Sequence, residues 1–406
     1  MATASPGRRF RLLAIGSGAA LAAIAALAIL ELPAVAYRHN DFAQYYAGAR
    51  AVAAGGSPYG DAFWSILDSL GSRALFASAY GTVSKTGLTT PYPLWVFVVL
   101  IPIGVLPFAA AAAAFLVAQV AALSFALGAL ARRLFVAIPR RETVLFLAIA
   151  LAFQPVWLLV VGGNIAALVT AAFGGAFAAA LAGRARLAGA LLGACLVKPQ
   201  VVALAAVVLL IALDAASRRR ALVALAVVGG ALGASAFAAD ASWFPDWWRN
   251  VVALQATTGS NASGWTIDRA FGGPRWTGPL AVSLAVAAFL GWWLLRRPRL
   301  PALTAAALPV SIFAAPHAWS YDASALLATI AVVLAGMQHL SNARRIAWLA
   351  ALAVIAVALP WAAYAVAFRR AGEEWTALVV LLFFPLVALA ERARPRPNDR
   401  SGASAP

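Results

Sequence analysis

The sequence predicts an all-α, polytopic membrane protein. Residues of the set AVILMFWYC make up 64% of the 406 positions, charged residues only 11%, and the mean hydropathy is +0.87. Soluble domains sit near half apolar and a quarter charged, so a water-soluble enzyme and a disordered chain are both excluded. The apolar residues fall in runs of about 20, the length a helix needs to cross a bilayer. A single cysteine excludes an internal disulfide framework and a Cys-rich metal site, and three histidines leave little for a His-based centre. The net charge of +17 comes from short arginine clusters between apolar runs. That is the positive-inside pattern, and no aromatic and basic residues interleave as a nucleic-acid platform requires.

The first run, 10–37, follows Arg8 and Arg9. It is longer than a signal-peptide core and many runs follow, so it is expected to be an uncleaved helix with a cytoplasmic N-terminus. Residues 38–90 are mixed and turn-rich, which predicts a large outside loop with short amphipathic helices. Residues 91–131 are apolar but punctuated by Pro102 and Pro107. Full crossings by both 91–107 and 108–131 would put Arg132, Arg133, Arg140 and Arg141 outside, so one of the two is expected to be partial or re-entrant. Further spans are expected near 143–161, 165–183, 221–239, 278–295, 300–315, 321–338, 345–367 and 374–391. The stretch 187–213 is split by Lys198-Pro199 and reads as a broken hairpin of two short helices.

This path predicts 11–13 transmembrane helices in one integral-membrane domain, 1–395. A second outside loop covers 240–277, and 396–406 form a disordered cytoplasmic tail. Predicted cytoplasmic segments hold 21 basic residues and predicted outside segments nine, Lys198 belonging to neither. The path also gathers Asp41, the Gly162-Gly163-Asn164 turn, the 240–277 loop and the Pro316–Asp322 turn on the outside face. Polar groups among apolar helices are costly and mark function, so their convergence predicts a single site there.

The densest pattern is His39-Asn40-Asp41-Phe42-Ala43-Gln44-Tyr45-Tyr46, with Gly55-Gly56-Ser57-Pro58-Tyr59 downstream. Asp41, Tyr45 and Ala49 share one face of a helix starting at Asp41. A carboxylate at a membrane rim suits a general base acting on an acceptor hydroxyl; the competing role is an N-cap. Trp243, Phe244, Trp247 and Trp248 are aromatic and suit either sugar stacking or the interfacial belt.

The Asp-x-x-x-Tyr-Tyr run, the Gly-x-x-Pro-Tyr that follows, Tyr92-Pro93-Leu94, Gly163-Asn164 and Gly189 through Lys198-Pro199-Gln200 occur in an order that resembles glycosyltransferase family 87. The likeness covers roughly 38–325. It implies a fold of the GT-C superfamily and an extracytoplasmic active site. It also implies inverting transfer of a sugar, mannose first, from a polyprenyl phosphate to a glycolipid or glycan hydroxyl. Asp41 maps onto the catalytic base. Lys198 and His317 are then the expected donor-phosphate ligands; Tyr45, Tyr46, Asn164, Gln200 and Asp322 are expected to bind substrate. The alternatives are a snorkelling lysine, an interfacial loop histidine, a turn-forming Asn164 and a helix-capping Asp322. No Asp-x-Asp pair is present, and no metal or other cofactor is expected. Expected partners are the lipid-linked donor, the acceptor and membrane lipid, in a bacterial plasma membrane. The competing class is a transporter or flippase of a lipid-linked sugar, which would share a broken helix with a midplane lysine.

Overall fold

The computed structural model describes residues 40–72, 89–135, 140–257, 263–271, 273–370 and 373–392. The expected first helix, 10–37, and His39 lie outside these residues. So do 73–88 of the first outside loop and the expected C-terminal tail.

The described residues are helical with no strand among them. In hydrocarbon each backbone N–H and C=O must be satisfied within its own segment, which a helix does. Five helices are long and apolar enough to cross a membrane: Phe108–Leu134, Ala215–Ala239, Thr277–Arg296, Asn342–Ala367 and Trp375–Arg392. A sixth crossing arises if Thr143–Ala152 and Gln154–Gly162 count as one span bent by 57°. Four further apolar helices are shorter: Ala166–Leu181, Ala185–Val197, Leu300–Ala314 and Ser320–Gly336. The described residues thus hold five or six full-length crossings, fewer than the 11–13 helices read from sequence. Apolar composition marks a segment as membrane-embedded but does not fix how far its helix runs before a break.

Helix surfaces confirm the bilayer setting. Ala215–Ala239 is apolar through most of its length yet leaves Leu222, Val223 and Val227 45%, 59% and 65% exposed, as a lipid-facing helix does. The protein is a multi-pass membrane protein.

Breaks fall at prolines. Residues 91–107 form only two short pieces, Leu94–Val99 and Ile101–Gly104, so this is the partial member of the expected pair. The 187–213 hairpin is broken as predicted. Helix Ala185–Ala194 passes through 3-10 turns Cys195–Val197 and Pro199–Val201 to helix Ala203–Ile211. Pro199 brings no N–H to the break. Trp95 Nε1 donates to Leu196 O at 3.1 Å and Leu204 N–H donates to Ser311 Oγ at 3.2 Å, which satisfies groups the break frees.

Small residues set the packing. A Cβ on Gly189 would lie 1.9 Å from Ala221 O, and one on Gly193 would lie 2.7 Å from Val228 Cβ. Helices Ala185–Ala194 and Ala215–Ala239 therefore touch backbone to backbone, the usual device where no hydrophobic drive separates helix from lipid.

Helices run between two kinds of end. Arg132 and Arg133 close Phe108–Leu134, Arg218–Arg220 open Ala215–Ala239, Arg296 closes Thr277–Arg296, and Arg392 closes the last helix. The turns at Asn164 and His317 lie at the opposite ends of the helices they join, whereas the turn at Glu373 follows a helix that itself ends in Arg369 and Arg370.

Candidate active site

Helix Asp41–Ala53 opens on Asp41. Gln44 Nε2 donates to Asp41 Oδ1 at 3.0 Å, and Asn164 Nδ2 donates to Asp41 Oδ2 at 2.8 Å. Asn40 Nδ2 donates to Val161 O at 3.1 Å, which pins the start of this helix to the end of Gln154–Gly162. Packing around the Asp41 carboxyl pushes its pKa above the usual carboxylate value, opposed by the Asn164 hydrogen bond and by the charge of Lys198. A carboxylate so raised is a stronger base.

The Gly-Gly-Asn turn aims Asn164. Gly163 adopts φ +59°, the left-handed region where a side chain is strained, and a Cβ there would meet Phe42 at 2.8 Å. Asn164 is fully buried. Its Oδ1 accepts from Ala166 N–H at 2.8 Å, starting the next helix, while its own carbonyl accepts from Gln119 Nε2 at 2.7 Å. Its amide is thereby left to face Asp41. Turn formation and contact with the carboxylate coexist in one residue.

Lys198 sits in the broken hairpin, 2% exposed. Its Nζ donates to Asp322 Oδ1 at 2.6 Å and lies 4.6 Å from the centre of the Tyr321 ring. Asp322 is fully buried, and its Oδ2 accepts from Trp319 N–H at 2.9 Å. Asp322 thus caps the 3-10 turn Ser320–Leu326 and holds the lysine. A buried ion pair is a poor source of stability but fixes geometry.

His317 lies on the same turn, half-buried, with its ring edge-to-face on Trp319 at 5.3 Å. Burial and then the Lys198 charge lower its pKa to about 4. The imidazole is therefore neutral near pH 7, able to donate one N–H, and not the cation that a phosphate ligand first brings to mind.

Tyr45 OH donates to Tyr92 OH at 2.8 Å, with the rings 5.0 Å apart, and Tyr59 OH donates to Tyr92 O at 2.8 Å. Tyr46 points elsewhere: its hydroxyl donates to Leu106 O at 2.9 Å and accepts from Arg50 at 3.2 Å. Gln200 is half-buried, with no hydrogen bond to Asp41, Lys198 or Asp322 among the described residues. Arg249 pairs with Asp246 on the exposed face of its helix. Trp243 is buried in an aromatic cluster with Trp95 and Trp247, while Phe244 and Trp248 are about half exposed, as an interfacial belt would be.

One residue that the sequence reading missed belongs to the same neighbourhood. Glu373 Oε2 accepts from Ser320 N–H at 2.6 Å and from Ser320 Oγ at 2.8 Å. Burial raises its pKa, and the charges of Asp322 and Asp41 push the same way. Asp41, Lys198, His317, Asp322 and Glu373 therefore lie within one another's fields. The signal that would have found it is the acidic pair Glu373-Glu374 between two apolar runs. An apolar groove of about 620 Å³, lined in part by Ala285, Ala288, Val366, Trp375, Leu378 and Leu382, runs along the helix that follows Glu373; none of the five cluster residues lines it.

The family model of glycosyltransferase family 87 matches residues 90–318, more than half of the chain. The chain belongs to glycosyltransferase family 87. It is a membrane glycosyltransferase. The match includes Tyr92, Asn164, Lys198 and His317 and begins after Asp41, so the place of Asp41 in the site rests on its own geometry. No curated protein and no solved structure matches the chain significantly.

Proposed function

We propose that this glycosyltransferase moves a sugar, mannose first, from a polyprenyl phosphate to a hydroxyl of a glycolipid or glycan, with inversion. The observation that carries the reading is the Asp41 carboxylate, fixed from both sides by Gln44 and Asn164 within the field of Lys198. Asp41 takes the proton of the acceptor hydroxyl as that oxygen bonds to the anomeric carbon. The bond from that carbon to the phosphate oxygen breaks, and polyprenyl phosphate leaves with the electron pair. An ammonium has three donors, of which Asp322 takes one. Lys198, with the neutral N–H of His317, is placed to meet the growing phosphate charge. Asn164 holds the base, and the Tyr45–Tyr92 pair forms a wall beside it. The leaving group is a monophosphate, so the reading requires no metal.

The groove at Trp375 supports a lipid-linked donor, since an isoprenoid chain needs an apolar channel and this one is lined by apolar side chains. The arginine-bearing helix ends support a cytoplasmic position for that face. By the same rule the site belongs on the extracytoplasmic side of a bacterial plasma membrane.

The test is purified protein in lipid nanodiscs, given a panel of polyprenyl-phosphate sugars and a glycolipid acceptor. Release of polyprenyl phosphate from a mannosyl donor, detected by mass, is the expected result. Movement of the donor across the bilayer with no release would replace the transferase with a flippase.

A further inference from the structure

We infer that Glu373 is a positioning residue for this reaction, acting through Ser320 to hold the turn that carries His317 and Asp322. The inference rests on the proposed transfer and adds a residue that neither the family match nor the sequence pattern assigns. Both Glu373 and Ser320 lie beyond residue 318, where the match ends.

Four hydrogen bonds lock this turn. Ser320 is fully buried, and its backbone N–H and its hydroxyl both meet Glu373 Oε2. The same hydroxyl lies 3.1 Å from Thr376 Oγ1, on the helix that Glu373 precedes. The neighbouring backbone N–H, that of Trp319, goes to Asp322 Oδ2. Two successive N–H groups at a buried helix start are thus taken by two carboxylates, and each would otherwise be an orphan. The division of labour matters. With Ser320 held by Glu373, Asp322 serves Trp319 on one oxygen and Lys198 on the other. Without Glu373, Asp322 must serve the turn alone, and the lysine and the imidazole lose their common mount.

A plain helix cap would fix the turn and nothing else. Glu373 also brings a carboxyl whose pKa is raised by burial and by the charges of Asp322 and Asp41, so its hydrogen bonding and its charge are two separable contributions. The two roles separate by substitution. Gln at this position keeps an oxygen that accepts both Ser320 bonds and removes the charge; Ala removes both.

The experiment compares wild type, Glu373→Gln, Glu373→Ala and Ser320→Ala as full-length protein in nanodiscs. Turnover with polyprenyl-phosphate mannose is measured from pH 4.5 to 8, and labelling of His317 by diethyl pyrocarbonate is measured by mass. Glu373→Ala is expected to lose at least tenfold in turnover and to label His317 several-fold faster. Glu373→Gln is expected to stay within threefold of wild type and to label His317 at the wild-type rate, because both Ser320 bonds keep their acceptor. Ser320→Ala, which keeps the backbone bond, is expected to fall between the two; it and the Gln variant carry the test if the Ala variant does not fold. Wild-type turnover and wild-type labelling rates in folded Glu373→Ala or Ser320→Ala protein would overturn the assignment. If wild type releases no polyprenyl phosphate, the donor assignment fails, and the labelling result alone still decides whether Glu373 holds the turn.

Discussion

Asn164 donates its side-chain amide to Asp41 Oδ2 at 2.8 Å, joining a helix start to a turn 123 residues further along the chain. The bond favours the ionised carboxylate, while the surrounding packing favours the protonated one. The balance between these two effects sets when Asp41 is able to act as a base.

Removal of that amide should cost rate. Asn164→Ala is expected to lower turnover roughly tenfold to a hundredfold, a fraction of the 10²–10⁴ that a positioned base contributes. It also strips Ala166 N–H of its acceptor, and an unpaired buried group costs about 1–3 kcal/mol, readable as a lower melting temperature in detergent.

The pH profile should have an acid limb that belongs to Asp41. The base works only when ionised and its pKa is raised, so activity falls as pH drops through that raised value. Asn164→Ala removes a bond that lowers the pKa, so its limb should move to higher pH. His317, at about 4, stays neutral above that pH and adds no limb near neutrality.

The Lys198–Asp322 pair should behave as a unit. Loss of one partner leaves a buried charge alone, a cost of about 3–5 kcal/mol, so Lys198→Met and Asp322→Asn should each unfold at distinctly lower temperature. The double variant should recover part of that loss, because neither charge remains buried unpaired. It should still be inactive, since the phosphate ligand is gone.

Gly163→Ala is expected to displace the turn, because φ +59° strains any side chain and the added methyl meets Phe42. Both turnover and melting temperature should fall, whereas Gly128→Ala, whose methyl meets open space, should change neither.

Much of this architecture was legible in the residues, and the illegible parts have physical causes. Lys198-Pro199 announced its break because proline brings no N–H and a lysine in an apolar run has no place facing lipid. The face of Asp41 and Tyr45 followed from the helical period. The same period turns Tyr46 about 100° away, toward Leu106 and Arg50, so the pair of tyrosines in the motif divides between site and scaffold. Which apolar runs form full-length helices and which stay short did not follow among the described residues, because length of apolar sequence does not say where a helix stops. The part played by Glu373 was hidden for a different reason. It meets Ser320 across 53 residues, a contact set by how the last helices pack and by nothing local.

The central claim is that Asp41 takes the acceptor proton. Its most direct test is the rate of polyprenyl phosphate release by purified Asp41→Asn protein, with donor binding and melting temperature measured in parallel. The account predicts a loss of roughly 10²-fold or more in rate, with binding and folding retained. A variant that turns over like wild type would contradict it.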